Sequence, residues 1–173
     1  CAWRRFHREP YDCKVARAAL IDGGSCIYLE DQMTEVAGYK IYGSPWQPEF
    51  CDWAFNLALG EECAEAWKKI PQDVDILMTH GPAHGKGDLC SHGGRAGCPD
   101  LLQAVRERAV PVALCGHIHE GFGVEREGPT TFINASTCTL QYQPNNPPIV
   151  FDLPPAEQLA AFRATATAAA APS

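Results

Sequence analysis

The chain has 173 residues, 46% of them hydrophobic and 20% charged, with a formal net charge of −7. That length supports one domain with a buried core, and the acidic balance argues against a broad electrostatic surface for nucleic acid. No apolar run approaches the roughly 20 residues of a membrane span, and Cys1 to Arg8 lack the apolar stretch of a signal peptide.

Without an export signal, the default compartment is the cytoplasm. The chain begins at Cys1 with no initiating methionine, which reads as processing or, preferably, as a fragment of a longer product. The nine cysteines are odd in number and include no Cys-x-x-Cys pair, so no disulfide framework is signalled. Cys90 and Cys98, with His84 and His92 close by, fit no common zinc spacing.

Residues 1–22 read as helical, with the alanine-rich stretch before Asp22 favouring helix; Gly23-Gly24 ends it. Ser25 to Glu30 reads as a strand, because Ile27 and Leu29 alternate with polar neighbours. Val36, Tyr39 and Ile41 around Gly38 suit a hairpin. Two prolines stiffen Gly43 to Pro48, where Trp46 offers an aromatic wall. Glu61 to Lys69 is an amphipathic helix ended by Pro71.

Val74 to Met78 is a buried strand that runs straight into Thr79-His80-Gly81-Pro82. The next 17 residues, 81–97, carry glycine and histidine without periodicity, and a loop this long hints at function. Pro99 to Arg108 is a helix with proline at a permitted early position. Val110 to Cys115 is a second buried strand, ending in Gly116-His117-Ile118-His119-Glu120. Strand, helix and strand make a βαβ-like unit, so parallel pairing brings both histidine loops to one sheet edge. Thr130 to Asn134 and Pro148 to Leu153 are further strands, separated by a turn at Asn145 to Pro148. Beyond Pro155 the composition turns alanine-rich, and residues 156–173 form a tail in which disorder is preferred to a short surface helix.

The chemistry centres on His80, His117 and His119. Neutral imidazole ligates zinc, manganese and iron, and in an extended segment residues two apart face the same side. Gly81 and Gly116 let the backbone approach a bound group. Asp88 is placed to support a ligand or position substrate, as are Trp46 and Glu120. His84 and His92 read as solvent contacts and His7 as surface. Asn134-Ala135-Ser136 formally matches a glycosylation acceptor, but directly after a strand it reads as structural.

These motifs resemble the calcineurin-like metallophosphoesterases. Thr79-His80-Gly81-Pro82 followed by Gly116-His117-Ile118-His119-Glu120-Gly121 looks like the C-terminal half of that family, in its metallophosphoesterase domain-containing group. Tyr42 to Trp46, Asp75 to Pro82, Ile133 to Cys138 and Asn146 to Leu153 carry the same likeness in order. It implies an α/β fold, the C-terminal portion of a four-layer α/β/β/α sandwich, with residues 1–155 as a partial domain. It implies two divalent metal ions of the manganese, zinc or iron class. His80 and His117 would hold one ion and His119 the other. The substrate would be a small phosphomonoester or phosphodiester, a cyclic nucleotide among them.

The family's Asp-x-His, bridging Gly-Asp and Gly-Asn-His motifs do not occur in these residues, so no catalytic histidine of that kind is assigned. Imidazoles without a negative ligand bind divalent ions poorly, so the expected metal affinity of this chain alone is weak or nil. Two readings follow: a metallophosphoesterase in the intact protein, or a catalytically inactive remnant acting as a binding or interaction module. Neither involves nucleic acid or membrane. Exposed apolar strand faces would favour self-association.

Overall fold

A computed structural model describes residues 12–22, 24 and 26–170, with side chains as far as residue 163 in the last helix. The expectations for residues 1–11, including His7, lie outside the described residues. Helix α1 (Cys13–Ile21) is capped by the Asp12 carboxylate, which accepts from the amides of Lys14 and Val15 at 2.8 and 3.4 Å.

Strands β1 (Gln32–Val36) and β2 (Tyr39–Ser44) form the expected hairpin. Its two-residue loop has Ala37 and Gly38 both at positive φ, the backbone twist such hairpins need. The short β3 (Gln47–Pro48) and β4 (Asn56–Leu57) pair with each other in parallel. Helix α2 (Glu61–Lys68) leads to β5 (Ile76–Thr79), and α3 (Pro99–Glu107) leads to β6 (Val112–Cys115). A 3-10 turn at His119–Gly121 precedes β7 (Gly123–Glu127), β8 (Thr130–Asn134) and finally α4 (Ala156–Ala170).

The main sheet runs β1-β2-β5-β6-β8-β7. Its four central strands are mutually parallel and the two edges antiparallel. Alternation across the register gives each face its own core. Tyr42, Leu77, Ala113 and Phe132 face α2 and α3, packing with Trp67, Leu101 and Val105. Ile41, Ile76, Val112, Leu114 and Ile133 form the opposite face, partly covered by Ile149 and Leu153. On that second face Met78 and Val124 remain exposed. The fold is thus α/β, with one mixed sheet and a helical layer.

Three expectations need correction. Residues 26–30 join no ladder; Leu29 instead packs on Gly43, where any Cβ would lie 2.5 Å from the Leu29 Cβ. Residues 148–153 form no strand, since Pro147 and Pro148 supply no amide donors, and the segment contributes apolar cover instead. The tail after Pro155 is a helix as far as Ala170, because alanine favours helix and the helix is docked. Leu159 is buried and Arg163 pairs with the buried Asp75 carboxylate. Strand β7, which the sequence reading missed, owes its place to pairing with β8 rather than to any apolar alternation of its own: its burial runs from half-buried to exposed. Among the described residues no helix is long and apolar enough to cross a membrane.

Candidate metal centre

Parallel pairing puts the ends of β2, β5, β6 and β8 along one edge, at Ser44, Thr79, Cys115 and Asn134. Ligand sites of open α/β sheets lie outside such carboxyl ends. His80 follows β5 directly, and Gly116 after β6 donates its amide to the His80 carbonyl at 3.0 Å, locking the two strand ends together. The His80 and His117 rings lie 4.7 Å apart between centroids, tilted by 45°.

His117 has φ +68°, and the Ile118 amide donates to the Gly116 carbonyl at 2.8 Å across it. That is a γ-turn of the rare, strained positive-φ form. Straight extension would have carried His117 and His119 along one strand; the turn instead swings His117 beside His80 and starts the 3-10 turn at His119. Such strain concentrates at functional sites. His119 Nδ1 lies 2.9 Å from the Thr139 carbonyl, an acceptor, so Nδ1 carries the proton and Nε2 keeps its lone pair.

Burial lowers the pKa of His80. His117 is lowered by burial first and then by the neighbouring imidazoles of His80 and His119. His80 is itself exposed, so the desolvation comes from the protein mass around the strand ends rather than from enclosure. Both effects favour the neutral imidazoles, the form that ligates metal. The donor chemistry therefore suits a divalent ion shared by His80 and His117. Among the described residues, no cage of three or more His, Cys, Asp or Glu donors includes any of these histidines.

The carboxylates near the site are engaged elsewhere. Asp88 is fully buried and holds the 81–97 loop: it accepts from the amides of Gly85 and Gly97 at 2.9 and 3.2 Å and from Arg95 at 2.6 Å. His84 is 3.7 Å away and exposed, and His92 is exposed. Glu120 accepts from the Ser91 amide at 2.7 Å, and backbone amides, its own and that of Ser91, lower its pKa. Trp46 donates to Asp31 at 3.0 Å and packs edge-on to Phe55. Asp31 also accepts from Ser44 and Lys69 at 2.8 and 2.7 Å, and these donors outweigh its burial to keep its pKa low.

Asn134 is buried and structural, as expected: its amide donates to the Gly87 and Ile118 carbonyls at 2.9 and 2.8 Å. This ties the loop to the histidine turn. Gly121 completes that tie, since a Cβ there would strike the Gly87 carbonyl oxygen. Two residues were not singled out in the sequence. Phe50 stands edge-on to His117 at 5.5 Å, and Tyr142 edge-on to His119 at 5.1 Å, both exposed. Neither carries a motif; only the folded loops bring them to the histidines.

No protein-family model matches the chain. It is 53% identical over 132 residues to metallophosphoesterase domain-containing protein 1 of Homo sapiens, an alignment covering 75% of this chain and 40% of the relative. It is 45% identical over 131 residues to a UPF0046 protein of Caenorhabditis elegans, covering 75% of this chain and 33% of the relative. The chain thus spans about two fifths or less of the length of these relatives. A solved structure shares the fold at a TM-score of 0.54 and 17% identity, covering 72% of this chain and 52% of that one. Over three quarters of its length the chain is thus similar to part of the metallophosphoesterase domain-containing proteins, the likeness that its ordered histidine motifs also carry.

Proposed function

We propose that these residues contribute three imidazoles to a metal-dependent phosphoesterase. The supporting observation is the adjacent His80–His117 ring pair at the carboxyl ends of two parallel strands, with His119 oriented by its Nδ1 contact to the Thr139 carbonyl. In this reading His80 and His117 hold one ion and His119 a second. A divalent ion bound there would polarise a phosphoryl oxygen and generate hydroxide from water near neutral pH. The chain's own residues orient and exclude. Asp88, Glu120 and Asn134 fix the loops that carry the ligands. Phe50 and Tyr142 flank the histidines as apolar surfaces for the organic part of a phosphomonoester or phosphodiester, cyclic nucleotides included.

The test is release of nitrophenol from bis(nitrophenyl) phosphate by the longest natural product carrying these residues, with manganese, zinc or iron. The expected outcome is turnover that depends on the metal and stops with a chelator. No turnover with any of the three metals sinks the enzymatic reading. A second reading, a binding module without turnover, draws on one observation: among the described residues no anionic donor joins the imidazoles in a common cage.

The exposed Met78 and Val124, on the less covered sheet face, support self-association through a second copy of the chain. Light scattering is expected to show a species larger than a monomer that shrinks in Met78→Glu. A monodisperse monomer across micromolar concentrations contradicts this.

A further inference from the structure

We propose that Cys63, Cys98 and Asp100 form a separate thiolate site for a soft divalent cation of the zinc class, between α2 and the start of α3. The two sulfurs and an Asp100 carboxylate oxygen all lie within 4.8 Å of one another, and among the described residues this is the one such group of three. Tetrahedral ligation with metal–sulfur bonds of about 2.3 Å needs donors about 3.8 Å apart, so the group has only to draw in slightly around an ion; Cys98 Sγ and Asp100 Oδ2 already stand 4.0 Å apart. None of these donors belongs to the histidine centre.

The contacts around Cys98 suit a sulfur that ligates a cation. The Trp67 indole N–H donates to Cys98 Sγ at 3.2 Å, a bond that strengthens as the sulfur gains negative charge. Cys98 is also the N-cap of the nine-residue α3, and its side chain caps no amide. The positive helix end therefore lies beside this sulfur, whose S–H is directed at Asp100 Oδ2, 4.0 Å away. Both cysteines are completely buried, and Asp100 is half-buried at the outer side of the group. The carboxylate is thus the donor that a hydrated ion meets first, and solvent can supply the fourth ligand.

Free Cys63 is a neutral thiol. Burial first, and then the neighbouring Cys98, push the Cys63 thiol up to about 12. Binding one M²⁺ must therefore displace the thiol protons: two S–H bonds break, two S–metal bonds form, and two protons leave to solvent. No oxidant or reductant is needed. Affinity should accordingly rise with pH. The sequence neighbours of Cys98 do not supply its partner. Its partner is Cys63, 35 residues upstream across two helices, and not Cys90, so no local spacing could have revealed it.

The experiment is a cobalt(II) titration of the reduced 173-residue chain without oxygen, read by the near-ultraviolet sulfur-to-cobalt charge-transfer band. Histidine and carboxylate ligands do not produce that band. One equivalent of band-forming cobalt is expected, displaced by zinc. Cys98→Ala should abolish the band and His117→Ala should leave it intact. Asp100→Asn, which alters only the half-buried donor and spares the core, should weaken cobalt binding by about tenfold or more. Three results overturn the proposal: no band in the wild type, a full band surviving in Cys98→Ala, or an unchanged affinity in Asp100→Asn. Spontaneous loss of two thiols as a Cys63–Cys98 disulfide, with no metal taken up, also overturns it.

Discussion

Asp88→Ala is expected to lower stability by about 3 kcal/mol, seen as a fall in urea midpoint with an unchanged slope. The side chain is fully buried, and both its oxygens are used. Removal strands the Gly85 and Gly97 amides, of which Gly97 is buried, and each buried donor left unpaired costs about 1–3 kcal/mol. The Arg95 ion pair adds less than its short distance suggests, because the guanidinium side chain is 45% exposed and solvent screens it. The damage should spread along the 81–97 loop toward Asn134, whose amide grips Gly87. A change below about 1 kcal/mol would mean that water replaces the carboxylate without loss and that the loop is held by other contacts.

His117→Gly is expected to be more stable than the wild type by about 1 kcal/mol, while His117→Ala shows no such gain. The reason is backbone conformation. At φ +68° an L side chain costs about 1–2 kcal/mol, and glycine adopts the same turn freely. In the enzymatic reading, both substitutions should lower metal-dependent hydrolysis by about a hundredfold or more. Opposite movement of stability and rate is the signature of a site that stores strain for function. Thermal melts of the two variants, compared with each other, isolate the backbone term because both lack the imidazole. Equal melting temperatures would remove the strain argument.

The paired histidine loops were legible in the sequence because strand periodicity and the intervening helix force parallel pairing, and parallel pairing forces a common edge. Asn134 was legible for a similar reason: a polar residue at the end of a buried strand must find backbone partners. The γ-turn at His117 was not, since reading Gly-His-x-His as extended puts both imidazoles on one side by simple alternation. A single positive φ overrides that alternation, and no residue type there announces it. Trp46 looked like a free aromatic wall, yet Asp31 claims its N–H from 15 positions upstream. Asp88 looked available for a ligand, yet it serves its own loop. Leu29 and Ile149 have strand-like neighbours but act as lids on apolar faces. Covering a sheet and extending it demand the same side chains, so periodicity alone does not separate them.

His80 and His117 are the proposed ligands of one metal ion. Pulsed electron paramagnetic resonance of manganese(II), bound to the longest natural product carrying these residues, tests this assignment most directly through nitrogen hyperfine coupling. Coupling from directly bound imidazole nitrogen is expected, diminishing in His80→Ala and in His117→Ala. Tightly bound manganese with no nitrogen coupling, or coupling unchanged in both variants, would contradict it.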